Sequence, residues 1–101
     1  INDQTRPYVG LPFERPLIPY YKALNYLLLD QPDEAAVEAR RLNLRLQAVG
    51  RYLKGRALAR EVGYLRHFAG VVYEAAGEEN DTMVSYRLAL ARYQEGGGAP
   101  A

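Results

Sequence analysis

The sequence predicts an all-α fold of four antiparallel helices, paired as two helix–turn–helix hairpins. Leu, Ala, Arg and Glu are abundant while Val and Ile are few, and this composition favours helix over sheet. Apolar residues recur at steps of three and four, which is the period of an amphipathic helix. One pattern of small and aromatic residues also occurs twice, at an offset of 47 positions. Together these observations predict a small helical domain.

The doubled pattern consists of a small residue, an aromatic three positions later, a turn, and further small or aromatic residues at helical spacing. The first copy comprises Ala23, Tyr26, Asp30, Ala35, Ala39 and Leu42. The second copy comprises Gly70, Tyr73, Gly77, Thr82, Tyr86 and Ala89. Small residues allow two helices to approach closely, and the aromatic rings fill the space beside them. Each copy therefore predicts one helical hairpin.

The first hairpin is expected at about residues 15–49. Its first helix begins near Arg15, although Pro19 then falls within the first turn or forces a later start. Asp30 offers a capping carboxylate, and Pro32 suits the first turn of the next helix. The apolar positions of that second helix follow steps of four and three: Ala35, Ala39, Leu42, Leu46, Val49 and Leu53.

The second hairpin is expected at about residues 58–94, after a kink or linker near 50–57 that contains Gly50 and Gly55. Asn80 or Asp81 is the expected cap of the fourth helix. The third helix has its apolar positions at Leu58, Val62, Leu65, Ala69, Val72 and Ala76, and the fourth presents Met83, Tyr86, Leu90 and Tyr93 on one face. The helical domain would thus span 14–94, between an extended lead-in at 1–13 and a flexible tail at 95–101.

Composition excludes several kinds of site. The 101 residues include no cysteine, so disulfides and thiolate metal sites are excluded. The longest nearly uncharged apolar run, Ala23 to Leu29, is far shorter than the ~20 residues that a membrane span needs. His67 is the single histidine and has neither an obvious carboxylate cluster nor a nucleophile motif beside it. We therefore predict no metal, no cofactor, no catalytic residues and no enzymatic activity.

The second copy of the pattern resembles the tetratricopeptide repeat (TPR), a helix–turn–helix unit of about 34 residues. Thr82 stands where the repeat usually has alanine. The first copy departs further, since Asp30 replaces the turn glycine and Ala39 replaces the aromatic. The resemblance implies a scaffold that binds other proteins. The longer offset leaves a linker between the two units.

A second resemblance covers most of residues 13–93. It is carried by Phe13–Arg15, Tyr21–Leu27, Val37–Asn43, Gly77–Asp81 and Ser85–Leu90. These strings look like a poorly characterised bacterial family of TPR-like cell-envelope proteins, many of which are lipoproteins. The resemblance implies helical scaffolding in the cell envelope or periplasm, without known catalysis. The lipid-bearing cysteine of such lipoproteins has no counterpart in this sequence.

The predicted function is non-catalytic binding of a peptide or protein in a shallow groove between the first and third helices. The predicted partner-binding residues are Tyr20, Leu24, Leu27, Tyr64, His67, Val71 and Glu74. An equally good interpretation of the tyrosines is half-burial at the rim of a small core. Because repeat arrays need three or more units, self-association is one way to complete the stack.

An alternative function follows from the distribution of charge. Eight of the 13 basic residues lie between Arg40 and Arg66, where only Glu61 opposes them. A basic helical module at 40–66 could bind an anionic ligand such as nucleic acid or an acidic lipid surface. Acidic neighbours on the second helix and the lack of any recognition motif make nucleic acid the weaker expectation.

Overall fold

The structure is a computed structural model that describes residues 14–49 and 56–96, and four helices account for nearly all of them. The helices are α1 at Glu14–Leu28, α2 at Pro32–Val49, α3 at Arg56–Ala75 and α4 at Glu79–Glu95. No strand occurs within these ranges. The prediction of an all-α fold with four helices is confirmed.

The helices pair in chain order. α1 packs along α2 and α3 packs along α4, while α3 also contacts α2 and, over a shorter length, α1. α3 is thus the central helix that joins the two hairpins. The buried apolar core is formed by Ala23, Ala35, Ala36, Ala39, Leu42, Leu46, Val62, Leu65, Phe68, Ala69, Val72 and Tyr73. Its many alanines allow the helix axes to approach closely.

The first hairpin turns through a left-handed residue. Asp30 has φ 58°, and its backbone N–H donates to the carbonyl of Leu27 at 3.0 Å. The N–H of Gln31 donates to the carbonyl of Tyr26 at 2.8 Å. This pair of bonds is a Schellman motif, which uses two carbonyls that would otherwise lack partners at the end of α1.

The second hairpin repeats this turn bond for bond. Gly77 has φ 78°, and its N–H donates to the carbonyl of Glu74 at 3.1 Å. The N–H of Glu78 donates to the carbonyl of Tyr73 at 2.9 Å. All four positions lie 47 residues after their counterparts in the first turn. The doubled sequence pattern therefore corresponds to a doubled backbone structure.

Several helix ends differ from the sequence-based expectations. α1 begins at Glu14 and contains Pro19, and α3 begins at Arg56, within the segment expected to be linker. Asp30 lies in the turn between α1 and α2, so it is not the residue that caps α2. The N-cap of α4 is Glu78, without a side-chain capping bond, so the expected caps Asn80 and Asp81 lie inside the helix. The left-handed turn explains this shift, because it leaves the residue after Gly77 at the cap.

Other sequence-based expectations lie outside the described residues. The lead-in at 1–13, most of the linker at 50–55 and the tail at 97–101 belong to this group, as does the predicted apolar position Leu53. At the other boundary, α4 extends through Glu95, one residue beyond the predicted end at Gln94.

Candidate functional site

The seven predicted partner-binding residues lie on two adjacent helices. Tyr20, Leu24 and Leu27 on α1 are partly buried against the core. On α3, Tyr64, His67, Val71 and Glu74 are exposed along one face of the helix, because they recur at steps of three and four. The exposed fractions of Tyr64 and Val71 are 48% and 44%. We call this exposed strip of α3, with the adjoining α1 residues, the α1–α3 face.

Two tyrosine hydroxyls join α1 to α3. The Oη atoms of Tyr20 and Tyr64 are hydrogen-bonded at 2.9 Å. The Tyr20 ring also meets Phe68 edge-on, with 4.7 Å between ring centroids. The hydrogen bond to Tyr64 and partial burial raise the pKa of Tyr20 above its ordinary value. Helices α1 and α3 are therefore joined by the ring contact between Tyr20 and Phe68 and by the exposed hydrogen bond between Tyr20 and Tyr64.

Two of the predicted partner-binding residues of α3, His67 and Glu74, contact side chains of α4. His67 meets the rings of Tyr86 and Tyr93 edge-on, with centroid distances of 5.6 and 6.5 Å. The Tyr86 hydroxyl donates to Glu74 Oε1 at 2.8 Å. The α3 strip thus lies between α1 and α4, and α4 contributes two rings that were not among the predicted partner-binding residues. Tyr86 and Tyr93 are seven residues apart and lie on one face of α4, and this spacing is the sequence signal that could have placed both rings beside the α3 strip.

The small residues of α3 explain how α4 comes so close. A Cβ atom built on Gly70 would lie 2.4 Å from the Tyr86 ring, and one built on Gly63 would lie 2.8 Å from the Tyr93 ring. Glycine at these two positions lets both rings approach the α3 backbone closely. The rings in turn support His67 from the side. The doubled sequence pattern therefore shapes the α1–α3 face directly.

The basic stretch at 40–66 does not form a single free cationic face in the described part of the chain. Arg40 pairs with Glu78, and Arg41 pairs with Glu38 at 2.6 Å. The Arg60 Nε donates to the carbonyl of Gly96 at 3.0 Å. Three arginines of the stretch are therefore already engaged by groups of the protein itself.

Arg66 lies on the opposite side of α3 from the α1–α3 face. Its Nη1 donates to Asn43 Oδ1 at 3.1 Å, and Asn43 Nδ2 donates to the Tyr73 hydroxyl at 3.1 Å. These three residues line a cavity of about 610 Å³ between α2 and α4. Arg66 belongs to the basic stretch at 40–66, and the cavity was not predicted from the sequence.

Within residues 14–49 and 56–96, no three His, Cys, Asp or Glu side chains are grouped so as to hold a metal ion. Of the helices described, none combines the length and the apolar character needed to cross a membrane.

Comparison of the chain with protein-family models, with curated proteins and with solved structures finds no significant match. Functional inference therefore depends on the geometry of the two surfaces: the α1–α3 face, and the cavity on the other side of α3. The first consists of rings and apolar side chains with a few polar groups. The second combines a guanidinium group with apolar walls.

Proposed function

We propose that this chain is a non-catalytic scaffold that binds a peptide or protein segment along the α1–α3 face. The supporting observation is the exposed strip of α3 between α1 and α4, which carries a tyrosine, a histidine, a valine and a glutamate. Aromatic residues are enriched at protein interfaces because they bury a large area at a low cost in conformational entropy. Tyr64 and Val71 supply apolar contact, while His67 and Glu74 supply polar anchors.

Contacts from α1 and α4 restrict the side chains of the α3 strip, and this favours a binding role for the strip over a surface that only faces solvent. Tyr64 is hydrogen-bonded to the hydroxyl of Tyr20, and the ring of His67 contacts two tyrosine rings of α4. Side chains fixed in this way lose less entropy when a partner binds. Glu74 accepts one hydrogen bond from Tyr86, and a carboxylate has capacity for more. A partner segment with apolar side chains and one basic side chain would match this surface.

The sequence resemblances suggest a setting for this function. The identical turns of the two hairpins fit a TPR-like pair, and such units commonly bind peptide segments. The second resemblance suggests a bacterial cell-envelope assembly as the setting. Two hairpins are fewer than a repeat array needs, so a second copy of the chain or a partner helix would complete the stack.

A peptide library tests the proposal. Peptides selected on the wild-type protein should lose at least about tenfold in affinity with Tyr64→Ala combined with His67→Ala, because both anchors are removed. Val71→Asp should also weaken binding, since it places a charge in the centre of the face. Affinity is measured by fluorescence anisotropy, and circular dichroism confirms that helicity is retained.

Val84→Asp is the matched control. Val84 is also 44% exposed but lies on α4, on the side of the α2–α4 cavity. It should leave peptide affinity unchanged. Equal losses from Val71→Asp and Val84→Asp, or selected peptides that ignore all three substitutions on the face, would contradict the proposal.

The alternative function, binding of an anionic ligand by the whole basic stretch at 40–66, receives less support. Arg40 and Arg41 already pair with carboxylates, and Arg60 with a backbone carbonyl. Binding of nucleic acid or acidic vesicles that falls steeply with salt would favour this alternative. The absence of such binding at low salt would exclude it.

A further inference from the structure

A cavity of about 610 Å³ lies between α2 and α4, on the side of α3 away from the α1–α3 face. Its volume is within the range of about 300–1,000 Å³ that is usual for small-molecule sites. Polar groups of Arg66, Asn43 and Ser85 line part of it. Leu44, Val84 and Leu88 line the rest, and they remain 65%, 44% and 41% exposed. The cavity therefore has both a polar and an apolar portion.

Arg66 has no carboxylate partner in the described part of the chain. Its one hydrogen bond there goes to the neutral amide of Asn43, whereas a guanidinium group has five N–H donors. Burial lowers the pKa of Arg66, and the nearby charge of Arg92 acts in the same direction. A partly buried cation with a like-charged neighbour is stabilised by a bound anion.

Ser85 supplies a second group without a partner. Its side chain is only 2% exposed and lines the same cavity. No hydrogen bond joins its hydroxyl to any other described residue. Buried hydroxyl groups in proteins normally have a hydrogen-bond partner, so an acceptor bound in the cavity would satisfy it. Arg66 and Ser85 thus both line the cavity and both have hydrogen-bond donors without a partner among the described residues.

The cavity is also lined by one acidic residue, Asp81, and by a second basic residue, Arg40. Arg40 is already paired with Glu78. Arg66 is therefore the lining cation that has no carboxylate partner among the described residues.

We propose that this cavity binds a small amphipathic oxyanion, in which a carboxylate or phosphate group pairs with Arg66 and accepts from Ser85. The apolar body of the ligand contacts Leu44, Val84 and Leu88. The planar guanidinium fork matches both oxyanions with two parallel hydrogen bonds. This site is independent of the peptide-binding proposal, because it uses the opposite face of α3.

Three phenyl compounds test the site by NMR titration of the ¹⁵N-labelled protein. They are 4-phenylbutyrate, phenyl phosphate and the neutral 4-phenylbutanamide. One or both anions should shift the resonances of Arg66, Asn43 and Ser85, and the amide should bind at least about tenfold more weakly. Binding of a single anion identifies the class of oxyanion. Equal affinity for amide and carboxylate, or no saturable shift with either anion, would overturn the proposal.

Asn43→Asp introduces a carboxylate that would compete with a bound anion for Arg66. The substitution is nearly isosteric and places a permanent carboxylate where Arg66 already donates. It should weaken the binding of the anions at least about tenfold, because the new carboxylate occupies the guanidinium group. Unchanged anion binding by Asn43→Asp would also overturn the proposal.

Arg66→Met removes the charge while keeping an apolar stem of similar length. It should abolish the preference for the anions over the amide, and its melting temperature reports whether the fold is intact. Arg87→Met is the matched control, because Arg87 is an exposed arginine of α4 that does not line the cavity. Retention of the anion preference by Arg66→Met, or its loss in Arg87→Met, would show that Arg66 is not the anchor.

Discussion

Gly70 shows how a single residue sets the distance between two helices. The Tyr86 ring occupies the space that a Cβ atom on Gly70 would need, with ring carbons 2.4 and 2.5 Å from that position. The same ring contacts His67 and donates to Glu74 through its hydroxyl. A change at Gly70 would therefore displace Tyr86 and disturb the side chains of the proposed binding face.

We expect Gly70→Ala to lower the free energy of unfolding by about 1–3 kcal/mol, because the added methyl group overlaps a fixed ring. The gain in helix propensity from glycine to alanine, about 1 kcal/mol, offsets only part of this loss. Urea denaturation measures the effect. Gly63→Ala should cost less, since its nearest ring atom lies at 2.8 Å.

Tyr86→Leu tests the cause of that loss. In the Tyr86→Leu background the ring is gone, so Gly70→Ala should cost much less than in the wild type. An equal cost in both backgrounds would show that the overlap with the ring is not responsible.

At the scale of elements, the two turns show that different residues can form one backbone structure. Both use a left-handed residue and the same two hydrogen bonds, but one has Asp30 and the other has Gly77. Glycine adopts positive φ without steric cost, whereas a residue with a Cβ atom is strained there. The first turn therefore keeps a strain that the second turn lacks.

We expect Gly77→Ala to lower the free energy of unfolding by about 1 kcal/mol and Asp30→Gly to raise it by about 0.5 kcal/mol. No atom lies within 4 Å of a Cβ built on Gly77, so the cost there is conformational and not steric. Thermal and urea unfolding measure both changes. A stabilising Gly77→Ala would contradict the left-handed geometry of the turn.

At the scale of the whole molecule, an ion pair reinforces the packing between the two hairpins. Arg40 of α2 pairs with Glu78, the N-cap residue of α4, and also lies over the Tyr73 ring, 5.8 Å from its centroid. The hydrogen bond from Arg40 lowers the pKa of Glu78 below its ordinary value. This contact links sequence positions 38 residues apart.

The lowered pKa of Glu78 predicts a direction for the dependence of stability on pH. Because the folded state binds the proton more weakly than the unfolded state, the pair stabilises the fold above about pH 4.5, and this contribution is lost as pH falls through the lower folded pKa. We expect the stability difference between wild type and Glu78→Gln to be constant at neutral pH and to shrink in acid. Urea denaturation over a pH series measures it.

Glu79→Gln is the matched control for this prediction. Glu79 is an exposed glutamate in the first turn of the same helix, and Arg40 does not pair with it. The acid decrease should be larger for Glu78→Gln than for Glu79→Gln, because Arg40 pairs with Glu78 and not with Glu79. A difference between wild type and Glu78→Gln that grows in acid would contradict the assigned partner.

The sequence by itself determined the number of helices, their ends to within about two residues and the positions of both turns. These features depend on near neighbours, because apolar spacing, glycine and proline act within a few residues along the chain. The doubled pattern also contained both Gly70 and Tyr86, although their contact with each other is seen only in the structure. The predicted partner-binding residues of α3 share one face for the same reason, since they recur at steps of three and four.

Only the tertiary structure decided which side chains of different helices meet. It joined Tyr20 to Tyr64, brought Tyr86 and Tyr93 beside His67, and left Arg66 without a carboxylate partner among the described residues. Helical periodicity defines the faces of each helix but not the rotation of one helix against the next. That rotation depends on how the small and large side chains of α2, α3 and α4 pack, which is a property of the assembled core.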